Sequence, residues 1–225
     1  MRQHTIFFSL FVAMLVACSA TVRQRAQYYP DRQLKERWSE VKDSTGTYIR
    51  QGTYSSWYEN GRVQIEGEYS GGVMTGIWVT RTANGQVQEW HEYVDGQQHG
   101  LYVYYHPNGN KKQQGKYVRG QREGAWVSWS ENGIVSEESA YREGRKYGLW
   151  IEWYAAGKKK REANYVDGQL NGPFTTWHEN GLRWVEGKYT DGEKDGLWTT
   201  WDEIGLVTAR QRYQAGELVA TEEES

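Results

Sequence analysis

GAWVSWSENGIVSEESAYREGRKY, Gly124 to Tyr147, is the stretch that decides the fold, and Gly148 opens the next copy of it. Two short runs rich in Trp, Val, Ser and Tyr flank Asn132-Gly133. Asn-Gly between such runs is the strongest short-range hairpin signal, because a tight turn needs positive φ, which Asn tolerates and Gly adopts freely. The stretch is read as a β-hairpin with strands over Gly124 to Ser130 and Ile134 to Arg142, and a second turn around Glu143 to Tyr147. A helix is disfavoured, since each of the three fixed glycines would cost about 1 kcal/mol in a helix interior.

The same 24-residue pattern runs seven times from Gly52 to Val219 with no insertion or deletion. The units open at Gly52, Gly76, Gly100, Gly124, Gly148, Gly172 and Gly196, and Ala220 stands where an eighth would begin. Each third place is aromatic: Tyr54, Trp78, Tyr102, Trp126, Trp150, Phe174 and Trp198. The sixth holds Trp57, Tyr105, Trp129, Trp153, Trp177 and Trp201, interrupted only by Arg81. Asn-Gly follows in five units and relaxes to Ala156-Gly157 and Ile204-Gly205. Every unit then carries a tyrosine, Tyr69 to Tyr213, and a glycine three residues later, Gly72 to Gly216.

A fixed period makes each unit one supersecondary element stacked on its neighbours. With few Leu, Ile or Val per unit, the aromatic columns must supply most of the apolar contact. The expectation is an all-β, single-layer antiparallel β-hairpin repeat solenoid of seven units, with both tryptophan columns as structural rungs.

Two registers are open. A two-residue Asn-Gly turn sets the third-place aromatic opposite a mostly small residue, Gly67, Gly115, Ser139, Ala163 or Gly187, and a ring covering a strand glycine is a recognised sheet device. If the glycine alone is left-handed after a type I turn, the pairs slip by one. The first reading is favoured for the Asn-Gly units and the second suits Ala156 and Ile204.

The ends differ from the repeats. Residues 1–17 have a positive start at Arg2 and a short apolar stretch, Ile6 to Met14, and Leu15-Val16-Ala17-Cys18 resembles the lipobox of bacterial lipoprotein signal peptides. That resemblance implies export, cleavage before Cys18 and its acylation, with the membrane as partner. Ser19 after the cysteine resembles lipoproteins forwarded to an outer membrane. Cys18 is the only cysteine, so no internal disulfide is expected. Residues 18–51 read as a tether and N-terminal cap, in which Trp38 and the Tyr48 to Tyr54 strand cover the first rung. Residues 220–225 read as an acidic tail.

With Gly-x-(Trp/Tyr)-x-x-Trp-x-x-Asn-Gly followed by Tyr-x-x-Gly-x-x-x-Gly, the chain resembles the MORN-repeat superfamily, most closely the variant in bacterial proteins called YwqK-like antitoxins. The resemblance covers Gly52 to Val219. It implies a hairpin solenoid with a scaffolding or binding role, and an immunity function as one possibility.

Catalysis finds no support in motifs: there is no Ser-centred elbow and no phosphate-binding Gly-x-x-x-x-Gly-Lys loop. His91, His99 and His106 occupy three different repeat places without metal-ligand spacing, so no metal and no cofactor are expected. Lys158-Lys159-Lys160 follow a hairpin turn, where solvated charge is ordinary, and export with a net charge of −2 argues against nucleic acid. Trp90 and Trp184 lie outside the repeating columns. Together with Arg81, Lys158, Lys159 and Lys160 they are the candidate partner-binding residues. The expected function is a non-enzymatic, lipid-anchored envelope scaffold that binds a protein. The rivals are a carbohydrate-binding protein using the aromatic row and an immunity protein.

Overall fold

A computed structural model of the chain describes residues 21–222, so Cys18 and the signal segment lie outside the described residues. Those residues form one antiparallel sheet of 18 strands with no helix, and each strand pairs with its neighbours in the chain. In the unit opening at Gly124, Gln121–Trp129 pairs with Val135–Arg142, which pairs in turn with Arg145–Lys146 and Gly148–Trp153. The sheet is therefore one long meander.

Two kinds of turn alternate. The expected two-residue turn lies after the tyrosine: Asp95 and Gly96 have φ of 49° and 77°, with Val94 opposite Gln97. Those angles are a type I′ turn, whose twist matches the flanking strands. The Asn-Gly turn is different, because only its glycine is left-handed, as at Gly61 with φ of 79°. Gly61 N–H donates to the Tyr58 carbonyl at 2.9 Å and Tyr58 N–H donates to that of Arg62, which makes a three-residue loop. The residue before the glycine thus needs no positive φ, and Ala156 and Ile204 fit without strain.

The pairs nevertheless follow the favoured register: Tyr54 faces Gly67, Tyr102 faces Gly115 and Phe174 faces Gly187. A β-bulge in each unit reconciles the two. Ser56 faces Ile65 but Trp57 faces Val63, so Gln64 is the extra residue, and the one-residue slip of the longer loop is cancelled. The other units place Gln88, Lys112, Ser136, Lys160, Trp184 and Thr208 at the same bulge.

Except at Gly148, which begins the strand Gly148–Trp153, the opening glycine lies inside a strand. At the seam between units Gln114 faces Val127 and Lys116 faces Glu123, so Gly124, Ala125 and Trp126 together stand opposite Gly115. This second bulge, with Gly124 at φ of 68°, drops the Trp126 ring onto the preceding unit's glycine. A Cβ on Gly115 would lie 2.1 Å from Trp126 Cδ2, and Gly67 under Trp78 and Gly187 under Trp198 are as tight. The covered glycine therefore belongs to one unit and its cover to the next.

Because side chains alternate across a strand, the third-place aromatics and the tyrosines share one face. Trp126 is 1% exposed, Trp78, Trp150 and Trp198 are also buried, and each ring meets a tyrosine edge, as Tyr117 and Trp126 do at 5.1 Å and 84°. Cations close this rung face: Arg122 lies 4.2 Å over Trp126 and donates to the Tyr141 hydroxyl, while Lys146 lies 3.6 Å over Trp150.

Of the segment read as tether and cap, the chain from Arg23 onward is sheet. Arg23–Tyr28 and Leu34–Lys42 form a further hairpin, and Leu34–Lys42 pairs with Tyr48–Trp57. Its turn copies the repeat: Tyr29 N–H bonds the Gln33 carbonyl, Arg32 has φ of 70°, and Lys35 is the bulged residue. At the other end Glu217–Glu222 is the last strand, so the acidic tail begins inside the sheet.

Candidate functional site

The sixth-place column is separated from the rungs by strand alternation. Trp57, Trp129, Trp153, Trp177 and Trp201 lie on the opposite face, half-buried. Cations from the preceding strands cover some of them: Arg37 over Trp57 at 5.4 Å, Lys111 over Trp129 at 5.9 Å and Lys159 over Trp177 at 5.6 Å. The rung reading thus describes Trp78, Trp126, Trp150 and Trp198, whereas the sixth-place rings are not part of that stack. Beside them on this open face runs a row from the second place of the units, Ile77, Leu101, Leu149 and Leu197, each at least 40% exposed.

Arg81 and Trp90 sit on the same open face in the second unit. Arg81 pairs with Glu66 at 3.4 Å, and Trp90 stands between Val79 and Val103 at the place where other units carry Glu66, Glu138, Glu162 and Glu186. Lys159 pairs with Glu162 at 2.6 Å, which leaves it a local role. Trp184 and Lys160 are brought onto one margin of the sheet, since both are bulge residues. Trp184 stacks on His178 at 5.5 Å, and Lys160 lies 5.8 Å over Tyr154, the equivalent pair one unit earlier. Arg81 and Trp90 are not part of that margin.

Tyrosine, histidine and asparagine side chains stitch the margin across the seams. The Tyr154 hydroxyl donates to the Trp177 carbonyl at 2.7 Å, and His178 Nε2–H donates to that of Trp201 at 3.0 Å. Asn108 Nδ2 donates to the Glu131 carbonyl at 2.7 Å while its Oδ1 accepts the Asn110 amide. Lys158 Nζ reaches the Asn180 carbonyl at 2.8 Å where Ala156 offers no amide. Between the last units these side chains frame a recess of about 550 Å³ lined by Tyr154, His178, Glu179, Asn180, Trp184 and Glu203.

Ionisable groups also sit on the rung face. Burial raises the Glu137 carboxyl, with the nearby Glu152 carboxylate adding to it, and burial lowers Lys146. Glu89 is held low by its hydrogen bond with His91, at 3.0 Å. Burial raises Tyr102, with Glu89 assisting. Among the described residues no three His, Cys, Asp or Glu side chains gather as a metal site would require.

Three stretches match the MORN repeat variant model: residues 50–70, 98–119 and 146–167. Each match begins two residues before an opening glycine and spans the hairpin around the three-residue loop. In those three stretches the MORN repeat corresponds to the hairpin of one unit. No curated protein matches the chain. Crystal structures of TcdB2-TccC3-Cdc42 and TcdB2-TccC3 are similar at 10% identity over 85% and 84% of this chain, with TM-scores of 0.20 and 0.19. This chain spans 13% and 14% of the length of those chains.

Sequence reasoning missed Tyr154, His178, Glu179, Asn180 and Glu203. The available signal was phase: Tyr154 and His178 share one repeat place, as do Glu179 and Glu203.

Proposed function

We propose that this chain is a lipid-anchored, non-enzymatic scaffold of the bacterial cell envelope, held at the outer membrane through Cys18, whose open face docks a protein partner. What supports the docking face is a division of labour. Stacking, tyrosine edges and cation lids occupy the rung face, while Ile77, Leu101, Leu149 and Leu197 stay exposed in phase on the other. A row of exposed aliphatics in register is a typical protein-contact surface. Support for the anchor is the Leu15-Val16-Ala17-Cys18 sequence, since two or more acyl chains give stable membrane attachment.

Crosslinking in intact cells followed by pull-down is expected to recover one reproducible protein, and a Leu101→Glu, Leu149→Glu chain should lose it. Recovery of no reproducible protein, or recovery indifferent to the double substitution, refutes the docking face. Cys18→Ala should move the protein from the membrane fraction to the soluble one; unchanged membrane association refutes the anchor.

A further inference from the structure

We propose that the recess framed by Tyr154, His178 and Trp184 binds a pyranose unit of an envelope saccharide. The seven bulges are internal controls for what the fold needs there. Six of them hold Gln64, Gln88, Lys112, Ser136, Lys160 and Thr208, all hydrophilic, and only the sixth unit places a tryptophan there. Trp184 is 48% exposed and its ring is tilted 33° to that of His178. One indole face is backed and oriented while the ring stays open to a ligand. Nothing in the ladder uses it.

The surrounding groups suit a sugar. A pyranose offers an apolar C–H face and a rim of hydroxyl donors, and a rigid indole can stack on the former. The carboxylates of Glu179 and Glu203 make no ion pair among the described residues and can accept from the hydroxyls. The Tyr154 hydroxyl, having donated to the Trp177 carbonyl, keeps its acceptor lone pairs. His178 donates through Nε2, which leaves Nδ1 facing away from the Trp201 carbonyl as a further polar atom. Lys158 and Lys160 lie beside Asn180 and Tyr154 and offset the two carboxylates, which favours a neutral ligand. About 550 Å³ is room for one or two sugar rings rather than a long chain.

The site is on the turn margin, distinct from the open face, so partner docking can fail without touching it. The test is isothermal titration calorimetry of the full chain in detergent with an N-acetylglucosamine tetramer and with cellotetraose. Saturable binding of at least one is expected. Trp184→Gln, the residue that sister bulges already carry, should fold as the parent does and weaken binding about tenfold. Lys112→Gln, at the same place two repeats before Lys160, should leave binding unchanged. No saturation by either sugar up to about 10 mM, or equal binding by parent and Trp184→Gln, overturns the proposal.

Discussion

Trp126 and Trp129 stand three residues apart in one strand, yet they lead different lives. Trp126 fills the space over a glycine of the preceding unit, with tyrosine edges and an arginine around it. Trp129 lies half-buried on the other face beneath the tip of Lys111. A single-layer sheet has no second layer to make a core, so it buries its large rings on one face, with Val103 the buried aliphatic of the other. Consensus and burial are therefore not the same thing: both columns recur, but only one is packed on both sides.

The comparison can be broken most sharply at Gly115. Gly115→Leu drives side-chain atoms into the Trp126 ring, and a loss of about 3 kcal/mol or more is expected in urea unfolding. A parent-like midpoint would mean that the ring does not rest there. Next, Trp126→Ala should cost about 3–5 kcal/mol. Trp129→Ala should cost only about 1 kcal/mol for its half-buried ring. Equal costs would erase the distinction between the columns.

The smallest effect tests the electrostatics of the rung face. Burial places the folded Glu137 pKa above its ordinary 4.5, so ionisation opposes folding. The stability of the parent falls as pH rises from 4.5 through that raised value, and the penalty is complete above it. Glu137→Gln should melt higher than the parent only above this window. A melting difference independent of pH would assign the gain to something other than burial of the charge.

Much of this was legible in the sequence, and the misses have physical causes. The period, the hairpins and the small residues facing the third-place aromatics follow from Gly and aromatic spacing alone. The turn at Asn60-Gly61 was misread because Asn has two uses that look alike in sequence. Here its side chain spans the seam, with Nδ2 donating to the Ala83 carbonyl at 2.7 Å, and its φ stays negative. Longer loop and bulge cancel in register, so correct pairs gave no warning of an incorrect turn. The hairpin before Gly52 was hidden because its Tyr29 turn lies 29 residues before Tyr58, out of the 24-residue phase, and Arg32 replaces the glycine. The recess at Trp184 is not local in sequence, since its lining comes from three units.

A glycine covered by the following unit gives the array a direction. Gly187 is roofed by Trp198, but the corresponding residue of the last unit is Gln211, which accepts from the Tyr213 hydroxyl at 3.1 Å. The same place in the second unit holds His91, whose ring lies 4.9 Å from that of Tyr102 in the third. Duplicating a unit whose covered residue is a glycine therefore keeps a groove for the next ring, whereas a unit set after Gln211 would meet a polar side chain there, as Tyr102 meets His91.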